Sequence, residues 1–99
     1  MKTLAVTEKS FQAAVVQLAR LTGWRIFYVR ESVGSPHGWP DLILAKGSIL
    51  LARELKTETG RLSPSQRDWI AALEAAGVDV AVWRPRDWPR IVETLGARP

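Results

Sequence analysis

The sequence predicts an α/β domain with its elements in the order αβββαβα, and three observations lead there. Apolar residues recur at three- and four-residue steps in some segments, short runs rich in β-branched and aromatic residues separate them, and cap or turn residues stand at the junctions. Thr7 is a good N-cap before Glu8 to Thr22, where Phe11, Val15, Leu18 and Leu21 share a helical stripe and Gly23 supplies the stop. Trp24 to Val29 reads as a strand, and Ser32, Gly34, Ser35, Pro36 and Gly38 then mark a loop. Two apolar runs, Asp41 to Lys46 and Ile49 to Lys56, flank Gly47-Ser48, a pair suited to a tight hairpin turn. Ser63-Pro64-Ser65-Gln66 has the form of a capping box with proline at the first helical position, which opens a second helix ending at Ala76 before Gly77. Val78, Val80 and Val82 alternate along a fourth strand that runs to Trp83. Asp87 is placed to cap a last helix reaching Leu95, with Ala97 to Pro99 as a tail.

Ninety-nine residues, 46% of them apolar, suit one domain over residues 1–99, because so short a chain cannot divide its buried surface between two cores. The opening Met1-Lys2-Thr3-Leu4 lacks the apolar stretch of a secretory signal and no apolar run is long enough to cross a bilayer, so the expectation is a soluble, cytoplasmic protein. The absence of cysteine excludes a disulfide framework and a thiolate zinc site, and a single histidine argues against an imidazole site. Any metal must therefore be held by oxygen, which suits a hard cation such as Mg²⁺. The formal charge of +4 comes from fourteen basic residues, ten of them arginine, against ten acids. Guanidinium can grip phosphate bidentately, although charge alone leaves a merely solubilising surface equally open. Of the five tryptophans, Trp24, Trp69 and Trp83 lie in segments that read as core.

The hairpin carries the chemistry. A turn centred between Gly47 and Ser48 places Asp41 directly opposite Glu54, on one face of the sheet and with Cβ atoms about 5 Å apart. Two carboxylates so placed repel unless one is protonated or a cation lies between them, and a divalent metal is the simplest resolution. Lys56, two residues beyond Glu54, returns to the same face by the period of a strand. Leu50 and Ala52 precede it on that face, with Ile49, Leu51, Arg53 and Leu55 on the other, so the strand is expected to begin buried on both sides and turn polar at its end. The plainer reading of the three charges is a salt bridge of Glu54 with Lys56 beside a turn aspartate.

The string Gly38-Trp39-Pro40-Asp41-Leu42, then Arg53-Glu54-Leu55-Lys56-Thr57-Glu58, then Gly60-Arg61-Leu62-Ser63-Pro64 and Gln66, resembles the virus-type replication-repair nuclease (VRR-NUC) family of the PD-(D/E)xK superfamily. The resemblance covers almost the whole chain. It implies a restriction-endonuclease-like core with a mixed sheet flanked by helices, and a metal-dependent endonuclease acting on branched DNA such as four-way (Holliday) junctions. It further implies that Asp41 and Glu54, with the backbone carbonyl of Leu55, hold Mg²⁺ or Mn²⁺, and that Lys56 stabilises charge at the scissile phosphate or orients water. Glu8 resembles the family's acid at the start of the first helix; the bland alternative is an acid favoured by the helix dipole. Gln66 matches a glutamine that steadies the lysine or the water, yet it also completes the capping box. Arg61 and Arg67 flank a helix start that already favours anions and are the best phosphate clamps, while Arg25, Arg30, Arg84, Arg86 and Arg90 cannot be ranked against plain surface charge.

His37 could act as a general base but reads better as a solvated loop residue. Symmetrical cutting of a junction needs two sites, so a homodimer is expected. Trp88, Ile91 and Leu95 form a stripe that either packs on its own sheet or makes the interface. A sequence-specific restriction-type endonuclease and a catalytically idle DNA-binding module remain the rivals.

Overall fold

The computed structural model describes residues 6–29 and 37–96. Its elements follow the expected order: α1 (Glu8–Leu21), β1 (Arg25–Tyr28), β2 (Leu42–Lys46), β3 (Ile49–Leu55), α2 (Pro64–Ala75), β4 (Asp79–Trp83), a 3₁₀ turn (Pro85–Asp87) and α3 (Trp88–Gly96). The expected loop through Ser32, Gly34, Ser35 and Pro36, the residue Arg30, and the tail Ala97 to Pro99 lie outside the described residues.

The four strands form one mixed sheet in the order β1-β2-β3-β4. The first three make an antiparallel meander, and β4 returns parallel to β3 by way of α2. Parallel return needs a crossover, and the twelve-residue α2 supplies it. Gly47, at φ 57°, takes the left-handed conformation that the two-residue turn demands. The turn sets the register: Lys46 faces Ile49 and Leu42 faces Arg53, which puts Asp41 and Glu54 next in line as the hairpin geometry requires.

On one side of the sheet, Phe11, Val15, Val16 and Ala19 of α1 and Ile91 and Leu95 of α3 pack with Leu42, Leu44, Leu51, Leu55 and Trp83. Trp24 joins them and donates its indole N–H to the carbonyl of Leu95 at 2.8 Å, which ties α3 to the start of β1. Ile91 and Leu95 are fully buried here, so of the stripe on the last helix only Trp88 stays partly open and the self-packing alternative is the one realised. The helix α2 lies on the opposite side, over β4, with Gln66, Trp69 and Leu73 half-buried.

Four expectations need correction. Asp87 does not cap the last helix: its carboxylate accepts from the N–H of Arg84 at 2.8 Å and closes the 3₁₀ turn, because Pro85 favours that tight turn before the helix begins. β3 does not begin buried and end polar. Leu50 near its start is exposed, whereas Leu51 to Leu55 are all buried, because α2 and the core helices converge on the far end of the strand. Asp41 and Lys56 stand just outside the paired strands rather than within them, and Trp69 is half-buried rather than a core residue.

Candidate active site

The buried end of β3 brings the charged residues of the candidate site together. Glu54 is only 1% exposed, an unusual position for a carboxylate, and its neighbours explain its burial only in part. The side-chain amide of Gln66 donates to Glu54 Oε2 at 3.1 Å, and the Lys56 ammonium lies 3.9 Å from the same oxygen. The other oxygen, Oε1, is buried and has no hydrogen-bond partner among the described residues. An orphaned buried carboxylate oxygen costs free energy, so its presence calls for a ligand or a function.

Asp41 enters from the bend before β2. Its Oδ2 accepts from the backbone N–H of Leu55 at 2.8 Å, and its own carbonyl accepts from Val29 at 2.9 Å, so both of its neighbouring strands hold it. Glu8, on the first turn of α1, completes the group: one carboxylate oxygen from each of Glu8, Asp41 and Glu54 lies within 4.8 Å of the others. Glu8 is exposed, whereas Phe11 and Val15 on the same stripe are buried. Burial pushes the Glu54 carboxyl up to about 8, and the negative charge of Asp41 pushes in the same direction. Lys56 opposes the shift and Glu8 adds a little to it. Burial first, and the neighbouring Asp41 charge second, thus favour the protonated form of Glu54, and a divalent cation would replace that proton. A donor set made wholly of carboxylate oxygen fits a hard cation.

Gln66 resolves the choice between capping and site by doing both. Its Oε1 accepts from Ser63 N–H at 2.9 Å, its backbone N–H reaches Ser63 Oγ at 3.1 Å, and its amide nitrogen reaches Glu54. The capping box therefore orients the amide towards the site. Sequence reasoning missed how the loop before Asp41 is held. Gly38 takes φ +94°, and a Cβ there would sit 2.4 Å from the backbone carbonyl of Ser65, so the loop touches the start of α2 where only glycine fits. Next to it the Trp39 and Trp69 rings meet edge to face at 4.8 Å. The glycine directly before Trp-Pro-Asp was the available signal.

Other candidates sit farther out. Leu55 buries its side chain in the core between Glu54 and Lys56. Arg61 and Arg67 are exposed and line an open cleft of about 420 Å³ with Glu58, Gly60 and Arg84. Arg84 is committed to structure: it donates to the carbonyls of Thr57 and Gly60 at 2.5 and 2.7 Å and shapes the loop that follows Lys56. Arg53 points to the opposite side of the sheet, as alternation requires, and pairs with Asp79 at 3.0 Å. His37 is exposed at the start of the described part of its loop.

The comparisons with known proteins agree with this geometry. No curated protein sequence matches the chain. Among solved structures, a VRR_NUC domain protein superposes with a TM-score of 0.74 at 21% identity, covering 93% of this chain and 87% of that one. Hjc of Archaeoglobus fulgidus, a Holliday junction resolvase from an archaeal hyperthermophile, superposes with a TM-score of 0.54 at 23% identity, covering 81% of this chain and 70% of that one. These likenesses establish the restriction-endonuclease-like fold. The model of the VRR-NUC domain matches residues 5–87, which takes in both strands of the hairpin, the acidic cluster and Gln66, and the chain accordingly belongs to the VRR-NUC domain family.

Proposed function

We propose that the protein is a metal-dependent, structure-selective endonuclease that hydrolyses phosphodiester bonds in branched DNA. The observation that carries the reading is the buried, partner-lacking Glu54 Oε1 at the meeting point of three carboxylates and one ammonium. Glu8, Asp41 and Glu54, with the carbonyl of Leu55, would hold Mg²⁺ or Mn²⁺. A divalent cation supplies charge relief at the phosphoryl oxygens and water acidic enough to attack near neutral pH. Lys56 places an ammonium beside that site and meets the charge that develops on the phosphate. Gln66 steadies Glu54, and Arg61 and Arg67 grip the DNA backbone alongside.

Family membership supports nuclease chemistry, and the likeness of the fold to a Holliday junction resolvase favours branched DNA over one short duplex sequence. A single domain of this size offers one site, so paired cuts across a junction call for a homodimer. Its interface cannot use the buried Ile91 and Leu95.

One experiment tests the whole reading: incubation of purified protein with labelled linear, flap and four-way DNA in Mg²⁺, Mn²⁺ or EDTA, with sedimentation of the same samples. Metal-dependent cutting at the branch by a dimer is the expected result. Cutting of linear duplex at one sequence would make it a restriction-type enzyme, and binding without cutting an idle module. Full activity in excess EDTA would overturn the metal mechanism.

A further inference from the structure

The face of the sheet that bears the acidic site continues beyond it onto β1 and β2. Leu42 and Leu44 point into the core, so Ile43 and Ala45 point to the site side, and their partners across the ladder, Phe27 and Arg25, do the same. On β3 the matching residues are Ala52 and Leu50. Among the described residues, α2 packs over β4 and Arg25 and Phe27 at the β1 end of this face stay exposed. Phe27 is 65% exposed and Leu50 54% exposed, yet both lie on the surface that leads to Asp41 and Glu54. Phe27 stands diagonally across from Asp41, a separation of about 7–8 Å between such neighbours, which is within reach of one nucleotide.

An exposed phenyl ring two residues from an exposed arginine on one strand face is the combination that single-stranded nucleic acid selects, a stacking platform beside a cation. The charge of the face distinguishes this occupant from a second copy of the chain. Its residues on β1 and β2 are Arg25, Phe27, Ile43 and Ala45, with no acid among them to neutralise Arg25 if two such faces closed on each other. A phosphate backbone supplies that negative charge itself.

We infer that Phe27 is a stacking platform for an unpaired base of the strand whose phosphate is held at Asp41 and Glu54, with Arg25 gripping the backbone of that strand. The inference rests on the nuclease reading and narrows its substrate class to DNA that offers an unpaired nucleotide beside the cut. Duplex DNA, with its bases already stacked, gains nothing from the ring.

Binding measured by fluorescence anisotropy in EDTA, where cutting is blocked, tests this apart from catalysis. The probes are a labelled single strand, a flap and a fully paired duplex; the proteins are the parent, Phe27→Ala, Phe27→Tyr and Arg25→Gln. Phe27→Ala should weaken single-strand and flap binding about tenfold and duplex binding less than about twofold, and Phe27→Tyr should stay within about twofold of the parent. Arg25→Gln should flatten the salt dependence of single-strand binding by about one phosphate contact. Equal losses on duplex and single strand would overturn the proposal, as would single-strand binding unchanged in Phe27→Ala. Sedimentation that shows Phe27→Ala turning a dimer into a monomer would also overturn it and make the face an interface between copies. Should the parent bind all three probes but cut none in Mg²⁺, the nuclease reading alone would fail, since the stacking result is read without cleavage.

Discussion

Arg53 and Glu54 are consecutive on β3, both charged and both buried, and the sheet treats them in opposite ways. Arg53 points to the core side, where its guanidinium pairs with Asp79, donates to the carbonyls of Ala52 and Asp79, and lies 4.8 Å from the centre of the Trp83 ring. Its Nε alone is left without a partner among the described residues. Glu54 points to the other side, where two further carboxylates crowd it and one oxygen has no donor. A chain selected for stability alone settles a buried charge as it settles Arg53. The unsettled arrangement of Glu54 is what the proposed metal site would resolve.

The largest expected effect follows from that contrast. Glu54→Gln and Lys56→Ala should each lower cleavage of branched DNA by at least about 10²-fold while circular dichroism shows a folded domain, the scale on which lost charge stabilisation registers. Without metal, Glu54→Gln should melt higher than the parent, since it removes a carboxylate that burial and Asp41 oppose. A lower melting temperature would show that the acid contributes to the fold as Arg53 does.

The same contrast predicts a pH signature. The folded-state value of Glu54 is raised from 4.5 to about 8, so the folded protein holds a proton that the unfolded chain releases between those values. The contribution of Glu54 to metal-free stability is then fully present below about pH 4.5 and is lost as pH rises towards 8. Thermal melts at pH 5 and pH 8 in EDTA should differ by roughly 5 °C or more, and both Glu54→Gln and saturating Mg²⁺ should flatten the difference. A parent that melts higher at pH 8 would contradict the sign.

Smaller effects come from the supports. Gly38→Ala places a methyl group against the Ser65 carbonyl at an unfavourable φ, and should cost about 1–3 kcal/mol in urea titration and reduce cleavage by shifting Asp41. Gln66→Ala removes half of the capping box, worth about 1 kcal/mol, and lowers activity less than Glu54→Gln; Glu8→Ala should be similarly mild in kcat. The smallest is Arg53→Met, which should keep activity within about threefold and stability within about 1.5 kcal/mol, because Asp79 is largely exposed and water can take over its charge. Loss of activity in Arg53→Met would end the distinction between the two residues.

Much of this was legible without coordinates, for local reasons. Thr7 and Ser63 cap the two helices they were expected to cap, since a hydroxyl acts on a backbone N–H only three residues away. Gly47-Ser48 defined the hairpin, and the period of two then brought Asp41, Glu54 and Lys56 to one side. The burial of β3 was misread because both faces of its first half are apolar in sequence, and nothing local says which face a helix will cover.

Strand alternation, turn chemistry and capping depend on neighbours in the chain, and by themselves they determined the element order, the hairpin register and the acid-acid-lysine face. Packing between distant segments decided the rest. It brought Glu8 from α1 to Asp41 and Glu54, aimed the Gln66 amide at Glu54, pressed Gly38 against Ser65, and drew Ile91 and Leu95 into the core instead of leaving them on the surface. It also left Phe27 open beside the site. Spacing along a chain specifies which side of an element a residue occupies, but only the closing of one element upon another determines what that side meets.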